Sequence, residues 1–199
     1  MSDAHMIEAE SFRILHERVD LSVWPHGARD VVARMIHATA DTGYATSARI
    51  GERAVDAALR GLACGAPVVV DTAMVAAGTP RLETTCLLDE VPVAPRGSTR
   101  AAAAIALAAQ RYPEGAIWAV GNAPSALFEL LARHRRGEVD PAVVIGLPVG
   151  FVGAAGSKAQ LWGGPLRAIA ITNDGERGGS PVAAAALNAL HRLHRGDPC

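Results

Sequence analysis

Three apolar segments of this chain each end at a polar loop that contains glycine, and a helix-like segment follows each loop. The segments are residues 116–120, 143–145 and 168–172. Strand, loop and helix in alternation are typical of a parallel sheet with helices on both faces. We therefore predict an α/β fold: a single domain over residues 1–199, with a mainly parallel sheet in a Rossmann-like three-layer arrangement.

The spacing of apolar residues places the other elements. It predicts helices over residues 8–18, 28–38, 50–62, 99–110 and 124–136, a first strand over 67–71, and a short strand at 86–88 within an irregular segment. Ser98 is the predicted N-cap of the fourth helix. Two helix faces are predicted to pack on the core, and they comprise Val31, Val32, Met35 and Ile36, and Leu127, Phe128, Leu130 and Leu131. The order of the strands stays open.

Composition and charge exclude several classes of protein. The formal net charge is −1, with basic residues scattered along the chain, so neither a nucleic acid nor a membrane surface is an expected partner. No segment reaches the roughly 18 apolar residues that a membrane span needs, and no signal region opens the chain. Three cysteines without a Cys-x-x-Cys pair argue against a disulfide framework and a structural zinc site. We expect a reduced, cytoplasmic enzyme.

The glycine-bearing loops predict a site for an anionic small molecule. Loops that follow parallel strands emerge at one edge of the sheet, where α/β proteins bind ligands. Glycine lets backbone amides approach a ligand closely, and Arg100, Lys158 and Arg177 add positive charge to the same edge. The alternative is that these glycines only serve tight turns that need positive φ. The Gly-Ser-Lys order at 156–158 does not match a P-loop, and no Gly-x-Gly-x-x-Gly follows a strand.

His37 is the candidate for acid–base chemistry. It lies off the apolar stripe of its helix and near the end of that helix, and Asp41 follows four residues later, within reach of the imidazole. Histidine can gain and lose a proton near neutral pH, so one interpretation is a general acid. The other is a surface histidine favoured by the helix dipole. His191 and His194 fit a solvated helix end better than a metal site.

The motifs in their order along the chain resemble those of the precorrin-8X methylmutase family. The most specific are Gly-Asn-Ala-Pro at 121–124 and Pro-Val-Gly-Phe-Val-Gly-Ala at 148–154, and segments 37–39, 71–75, 97–100 and 177–180 also match. The resemblance runs from about residue 11 to residue 190. It implies a homodimer with an α/β fold, without cofactor or metal, whose active site draws on both subunits.

The resemblance also implies an activity. Such enzymes move a methyl group from carbon 11 to carbon 12 of ring C of a corrinoid in cobalamin biosynthesis. The product is hydrogenobyrinic acid from precorrin-8X, or cobyrinic acid from the cobalt form. His37 matches the catalytic histidine of the family. The residues expected to bind the substrate are Ser98, Thr99, Arg100, Gly121, Asn122, Ala123, Gly150, Phe151, Gly153, Ser157, Lys158, Arg177, Gly178, Gly179 and Ser180.

The chain departs from the family pattern in places, and other functions stay open. Gly156 stands where a glutamate is usual, Ser125 where threonine is common, and the N-terminal segment is short. The main alternative is a non-catalytic corrinoid carrier, and hand-off to neighbouring enzymes of the cobalamin pathway is also left open. A nucleotide-dependent enzyme is disfavoured by the missing fingerprints. The sequence does not separate metal-free from cobalt-containing substrate.

Overall fold

The computed structural model describes residues 3–196, with side chains from residue 6 onward. The elements in chain order are α1 (Asp3–Arg18), α2 (His26–Thr39), α3 (Tyr44–Ser47), β1 (Ala48–Ile50), α4 (Ala54–Ala63), β2 (Val68–Val70), α5 (Ala73–Ala77), α6 (Arg100–Arg111), β3 (Ile117–Val120), α7 (Pro124–Arg135), β4 (Val143–Gly146), α8 (Ala154–Trp162), β5 (Ala170–Asn173) and α9 (Ser180–Arg195).

The five strands form one sheet in the order β1-β5-β4-β3-β2. Strands β2 to β5 are parallel neighbours in chain order, while β1 pairs antiparallel with β5 at one edge. Every residue of β2 to β5 is buried, because helices cover both faces of the sheet. The predicted mainly parallel sheet is confirmed, and its strand order is now defined.

Two helical layers enclose the sheet, which confirms the three-layer prediction. Alternate side chains of β3 enter different cores: Ile117 and Ala119 pack with α1, α2, α4, α5 and α9, whereas Trp118 and Val120 pack with α6, α7 and α8. This alternation follows from the two-residue period of a strand.

The predicted core face of α2 is confirmed, since residues 31–36 are all buried. The prediction for α7 is only partly right. Leu127, Leu130 and Leu131 are buried, but Phe128 is 37% exposed, because each residue turns about 100° around the helix. The Phe128 ring lies instead beside the backbone of Gly153.

Three details of the predicted elements are wrong. Residues 48–50 form an edge strand, and the helix predicted from residue 50 begins only at Ala54, because the Gly51 amide donates to the Ala170 carbonyl (2.8 Å). Residues 86–88 are not a strand; Thr85 alone bridges to β2, and a short 3-10 turn follows. Thr99 rather than Ser98 caps α6, accepting a hydrogen bond from the Ala102 amide (3.1 Å).

Candidate functional site at the carboxyl edge of the sheet

The four parallel strands bring four loops to the same edge of the sheet. Residue 71 follows β2, residues 121–123 follow β3, residues 147–153 follow β4, and residues 174–179 follow β5. The end of α2 also reaches this edge, because Asp41 is bonded to Arg177 in the loop after β5. The topology therefore gathers the predicted loops and the helix that carries His37.

The loop after β3 binds a carboxylate of the chain itself, that of Asp71. The carboxylate of Asp71 is buried and accepts hydrogen bonds from the amides of Gly121, Asn122 and Ala123, each at 2.9 Å. Burial raises the pKa of the Asp71 carboxyl, and the three amide bonds act in the opposite direction. The amides that the sequence assigned to a ligand thus bind Asp71, which the sequence showed as the end of a strand and as part of a family motif, with no role in the site.

The loops after β4 and β5 cross at close range. The Gly179 amide donates to the Leu147 carbonyl (2.8 Å), and the Gly150 amide donates to the Glu176 carbonyl (3.1 Å). A side chain on Gly178 would overlap the carbonyl oxygen of Leu147. Glycine at 178 is therefore required by close backbone packing, whereas Gly150, Gly153, Gly175 and Gly179 have the positive φ that the alternative interpretation of these loops expected.

Lys158 lies inside the protein rather than on its edge. It is 1% exposed, and its ammonium donates to Oδ1 of Asn173 (3.1 Å) and to the carbonyl of Arg177. Burial, together with the nearby Arg177 guanidinium, lowers the pKa of Lys158 to about 8. Ser157 is buried as well and donates to the Ala154 carbonyl (2.9 Å). Lys158 therefore supports the β5–α9 loop through the Arg177 carbonyl, whereas the Ser157 hydroxyl bonds within the first turn of α8.

Arg177 presents its guanidinium at the surface of this edge. Its Nη1 donates to both carboxylate oxygens of Asp41, at 2.9 and 2.7 Å, and the guanidinium lies 5.7 Å from the centre of the Tyr44 ring. Burial acts to raise the pKa of Asp41, but hydrogen bonds from Arg177 and the Gly43 amide lower it overall. The predicted contact between Asp41 and His37 is wrong, because Asp41 pairs with Arg177 instead.

His37 is held by two side chains of α1. Its Nδ1 lies 3.0 Å from Oγ of Ser11, and its ring stacks on Phe12 with centroids 4.7 Å apart and an interplanar angle of 11°. Its Nε2 has no hydrogen-bond partner among the side chains from residue 6 to residue 196. Nothing in the sequence marked Ser11 or Phe12 as partners of His37.

The remaining predicted residues lie around the start of α6 and of α9. Arg100 is exposed and donates to the carbonyls of Val91 (2.7 Å) and Leu88 (3.0 Å), which ties the segment before α6 to the helix. The hydroxyl of Thr99 lies 2.7 Å from that of Ser125. The Ser180 side chain is buried and lies 3.3 Å from the Thr72 hydroxyl, whereas Ser98 and Asn122 are exposed.

The loop after β4 exposes large apolar side chains. Phe151 is 91% exposed, Val152 89% and Val149 42%. Folded monomers seldom leave several neighbouring large apolar residues in water, and such surfaces usually mark an interface or a ligand site.

Fold and site together define an α/β protein in which four strand-following loops and the end of the helix that carries His37 meet at the carboxyl edge of the sheet. Across the described residues, no three side chains among His, Cys, Asp and Glu are grouped to hold a metal ion, and no helix is long and apolar enough to cross a membrane.

Comparison with known proteins supplies the family. Residues 6–193 match the model of the precorrin-8X methylmutase family. A precorrin-8X methylmutase of Sinorhizobium sp is 38% identical over 96% of this chain and 95% of its own, and a cobalt-precorrin-8 methylmutase of Priestia megaterium is 37% identical over 94% and 87%. The crystal structure of precorrin-8X methylmutase from Thermus thermophilus aligns with a TM-score of 0.83 at 38% identity, covering 96% of this chain and 97% of the other.

The chain therefore belongs to the precorrin-8X methylmutase family. This confirms the resemblance seen in its sequence motifs. Members of this family are isomerases that transfer a methyl group within one molecule.

Proposed function

We propose that this protein catalyses the methyl shift from carbon 11 to carbon 12 of ring C, converting precorrin-8X to hydrogenobyrinic acid or the cobalt form to cobyrinic acid. The observation that carries the proposal is the His37 ring. Ser11 and Phe12 fix its orientation, and Nε2 is left for a ligand. His37 is the general acid of the reaction in this proposal.

The methyl shift needs one proton donor and no reagent other than the substrate. The bond from carbon 11 to the methyl group breaks, the bond to carbon 12 forms, and the conjugated electrons of the macrocycle shift in compensation, so substrate and product are isomers. As charge redistributes, His37 donates a hydrogen bond or a proton to a ring nitrogen and recovers it at the end. General acid catalysis contributes about 10²–10⁴-fold. Holding the macrocycle in its reactive geometry contributes further.

Ser11 selects the useful form of His37 in this scheme. A neutral imidazole carries its proton on one nitrogen only, and the partner of the other nitrogen decides which. When the Ser11 hydroxyl donates to Nδ1, the proton resides on Nε2, which then faces the substrate as a donor. Ser11 is therefore a positioning residue for the acid.

The residues proposed for substrate binding fall into two groups: those exposed on the contact surface, and those that hold this surface in place from within the chain. Arg177 and Arg100 have exposed guanidinium groups that suit the carboxylates of a corrinoid. The rest of the proposed contact surface comprises Ser98, Thr99, Asn122, Phe151, Gly153 and Gly178 of the loops. The residues that support this surface are buried or bonded within the chain, and they are Gly121, Ala123, Gly150, Ser157, Lys158, Gly179 and Ser180.

A second copy of this chain is the proposed partner of the exposed apolar loop. Phe151 and Val152 are almost fully exposed, and a homodimer that buries them would complete the site from both subunits. Sedimentation velocity of Phe151→Asp tests this. The dimer is expected to dissociate, whereas an unchanged dimer would remove this loop from the interface. A cytoplasmic location stays a prediction.

Single-turnover visible spectroscopy with precorrin-8X, without oxygen, tests the activity. The native chain is expected to convert the pigment, and His37→Ala is expected to bind the product while losing most turnover. The cobalt form is tried in parallel, because the relatives include enzymes named for either substrate. A stable spectral shift without conversion of either pigment would support a carrier instead, and near-native turnover by His37→Ala would remove His37 from the mechanism.

A further inference from the structure

A cavity of about 370 Å³ lies between α1, α2, α9 and the segment that follows α5. Its polar lining includes Glu8, Arg34, Arg81, Asn188 and Arg192. Helix α9 begins with Ser180 at the carboxyl edge of the sheet, and Asn188 and Arg192 lie two to three helical turns further along it. The cavity is therefore within the helical layer and apart from the loops described above.

Positive charge exceeds negative charge around this cavity. Oε1 of Glu8 accepts from Nη1 of Arg34 and from Nη1 of Arg192, the latter at 2.9 Å, so one carboxylate serves two guanidinium groups. Arg81 is exposed and makes no ion pair or hydrogen bond with any side chain or carbonyl in the described chain. Glu8 alone leaves these three arginines under-neutralised.

Several donors of these arginines are buried without an acceptor. Arg34 is only 9% exposed, and its Nε and Nη2 have no hydrogen-bond partner within residues 3–196; the same holds for Nε of Arg192. Buried donors are normally paired, and each one left unpaired costs free energy. These nitrogens are not accessible in the present arrangement, so an acceptor bound at the cavity would reach them only after Arg34 and Arg192 change their side-chain conformation.

We propose that this cavity binds a small oxyanion, a carboxylate or a phosphate. The guanidinium fork matches the geometry of both groups. Arg34 also connects the cavity to His37, because its guanidinium lies 4.6 Å from the centre of the Phe12 ring, on which His37 stacks. The oxyanion has two sources: a peripheral carboxylate of the corrinoid, which rests on the proposed function, or free phosphate, which does not.

Titration calorimetry with inorganic phosphate at constant ionic strength tests the site in the full chain. We expect saturable binding with one phosphate per chain, about tenfold weaker in Arg81→Gln and several-fold tighter in Glu8→Gln, because Glu8 competes with the ligand for the same arginines. Two variants serve as matched controls. Arg60→Gln removes an exposed arginine of α4 whose side chain has no hydrogen bond or ion pair within the described residues, and Glu17→Gln removes an exposed carboxylate of α1. Circular dichroism checks that each variant is folded.

Two results would overturn the site: no saturable binding of phosphate, or equal effects of Arg81→Gln and Arg60→Gln. Competition with hydrogenobyrinic acid then identifies the source. Displacement of the product by phosphate assigns the cavity to a corrinoid carboxylate, and simultaneous binding assigns it to a free oxyanion. An inactive protein that binds phosphate with the expected variant pattern would refute the proposed function and leave this site intact.

Discussion

Replacement of Asp71 tests whether an internal carboxylate organises the carboxyl edge of the sheet. Oδ2 accepts from the amides of Asn122 and Ala123, and Oδ1 accepts from the amide of Gly121. Asp71→Asn can keep the two bonds at Oδ2, but its amide nitrogen then faces the Gly121 donor. One buried donor is left unpaired, which costs about 1–3 kcal/mol. Asp71→Ala removes the acceptor of all three amides, of which the Gly121 amide is buried and those of Asn122 and Ala123 are part-buried. The buried donor costs about 1–3 kcal/mol and each part-buried hydrogen bond about 0.5–1.5 kcal/mol, so we expect a loss of about 2–6 kcal/mol against a total stability of about 5–15 kcal/mol.

Urea unfolding followed by tryptophan fluorescence measures both losses. Asp71→Ala should lose more stability than Asp71→Asn. The slope of the unfolding free energy against urea concentration should stay the same in both, since the surface exposed on unfolding is the same. Asp89→Asn, an exposed carboxylate in the segment before α6, is the control and should leave the midpoint unchanged within error. Native-like stability of Asp71→Ala would refute the reasoning, because one buried and two part-buried amides would then have lost their acceptor without cost.

Three further predictions concern the histidine and the loop after β5. Ser11→Ala should lower turnover about tenfold with little change in product affinity, because it removes only the hydroxyl at Nδ1 of His37. An unchanged single-turnover rate would show that Ser11 does not position His37 for the reaction. Between pH 8 and pH 10.5, the thermal unfolding midpoint of the native chain should rise relative to that of Lys158→Met. In this range the folded Lys158, with a pKa of about 8, has lost its proton while the unfolded lysine still holds one, so a rise in pH favours the folded state. If the midpoints of the two proteins changed in parallel with pH, a buried Lys158 ammonium would be contradicted. Arg177→Gln and Asp41→Asn should each weaken product binding several-fold. The double variant should bind the product no more weakly than the weaker-binding single variant, since the two side chains act as a pair. Additive losses of binding free energy would mean that the two side chains act separately.

Sequence patterns predicted the fold better than the site. Apolar runs such as residues 68–70 and 143–145 are strands that pack on both faces, and a local pattern reveals them directly. The edge strand at 48–50 was missed because its three residues, of which only Ala48 is fully buried, follow a short helix and form no such apolar run. Phe128 was assigned to the wrong face because its neighbours are leucines that do face the core.

The sequence by itself determined the alternation of strands and helices, the glycine-bearing loops and the family to which the chain belongs, because each of these depends on residues close together in the chain. Only the tertiary structure decided the partners in the site. Asp71 reaches amides 50 to 52 residues away, Ser11 meets His37 across 26 residues, and Arg177 meets Asp41 across 136. Charge and hydrogen-bonding capacity can be read from a side chain, but its partner depends on where the packed sheet and helices place it.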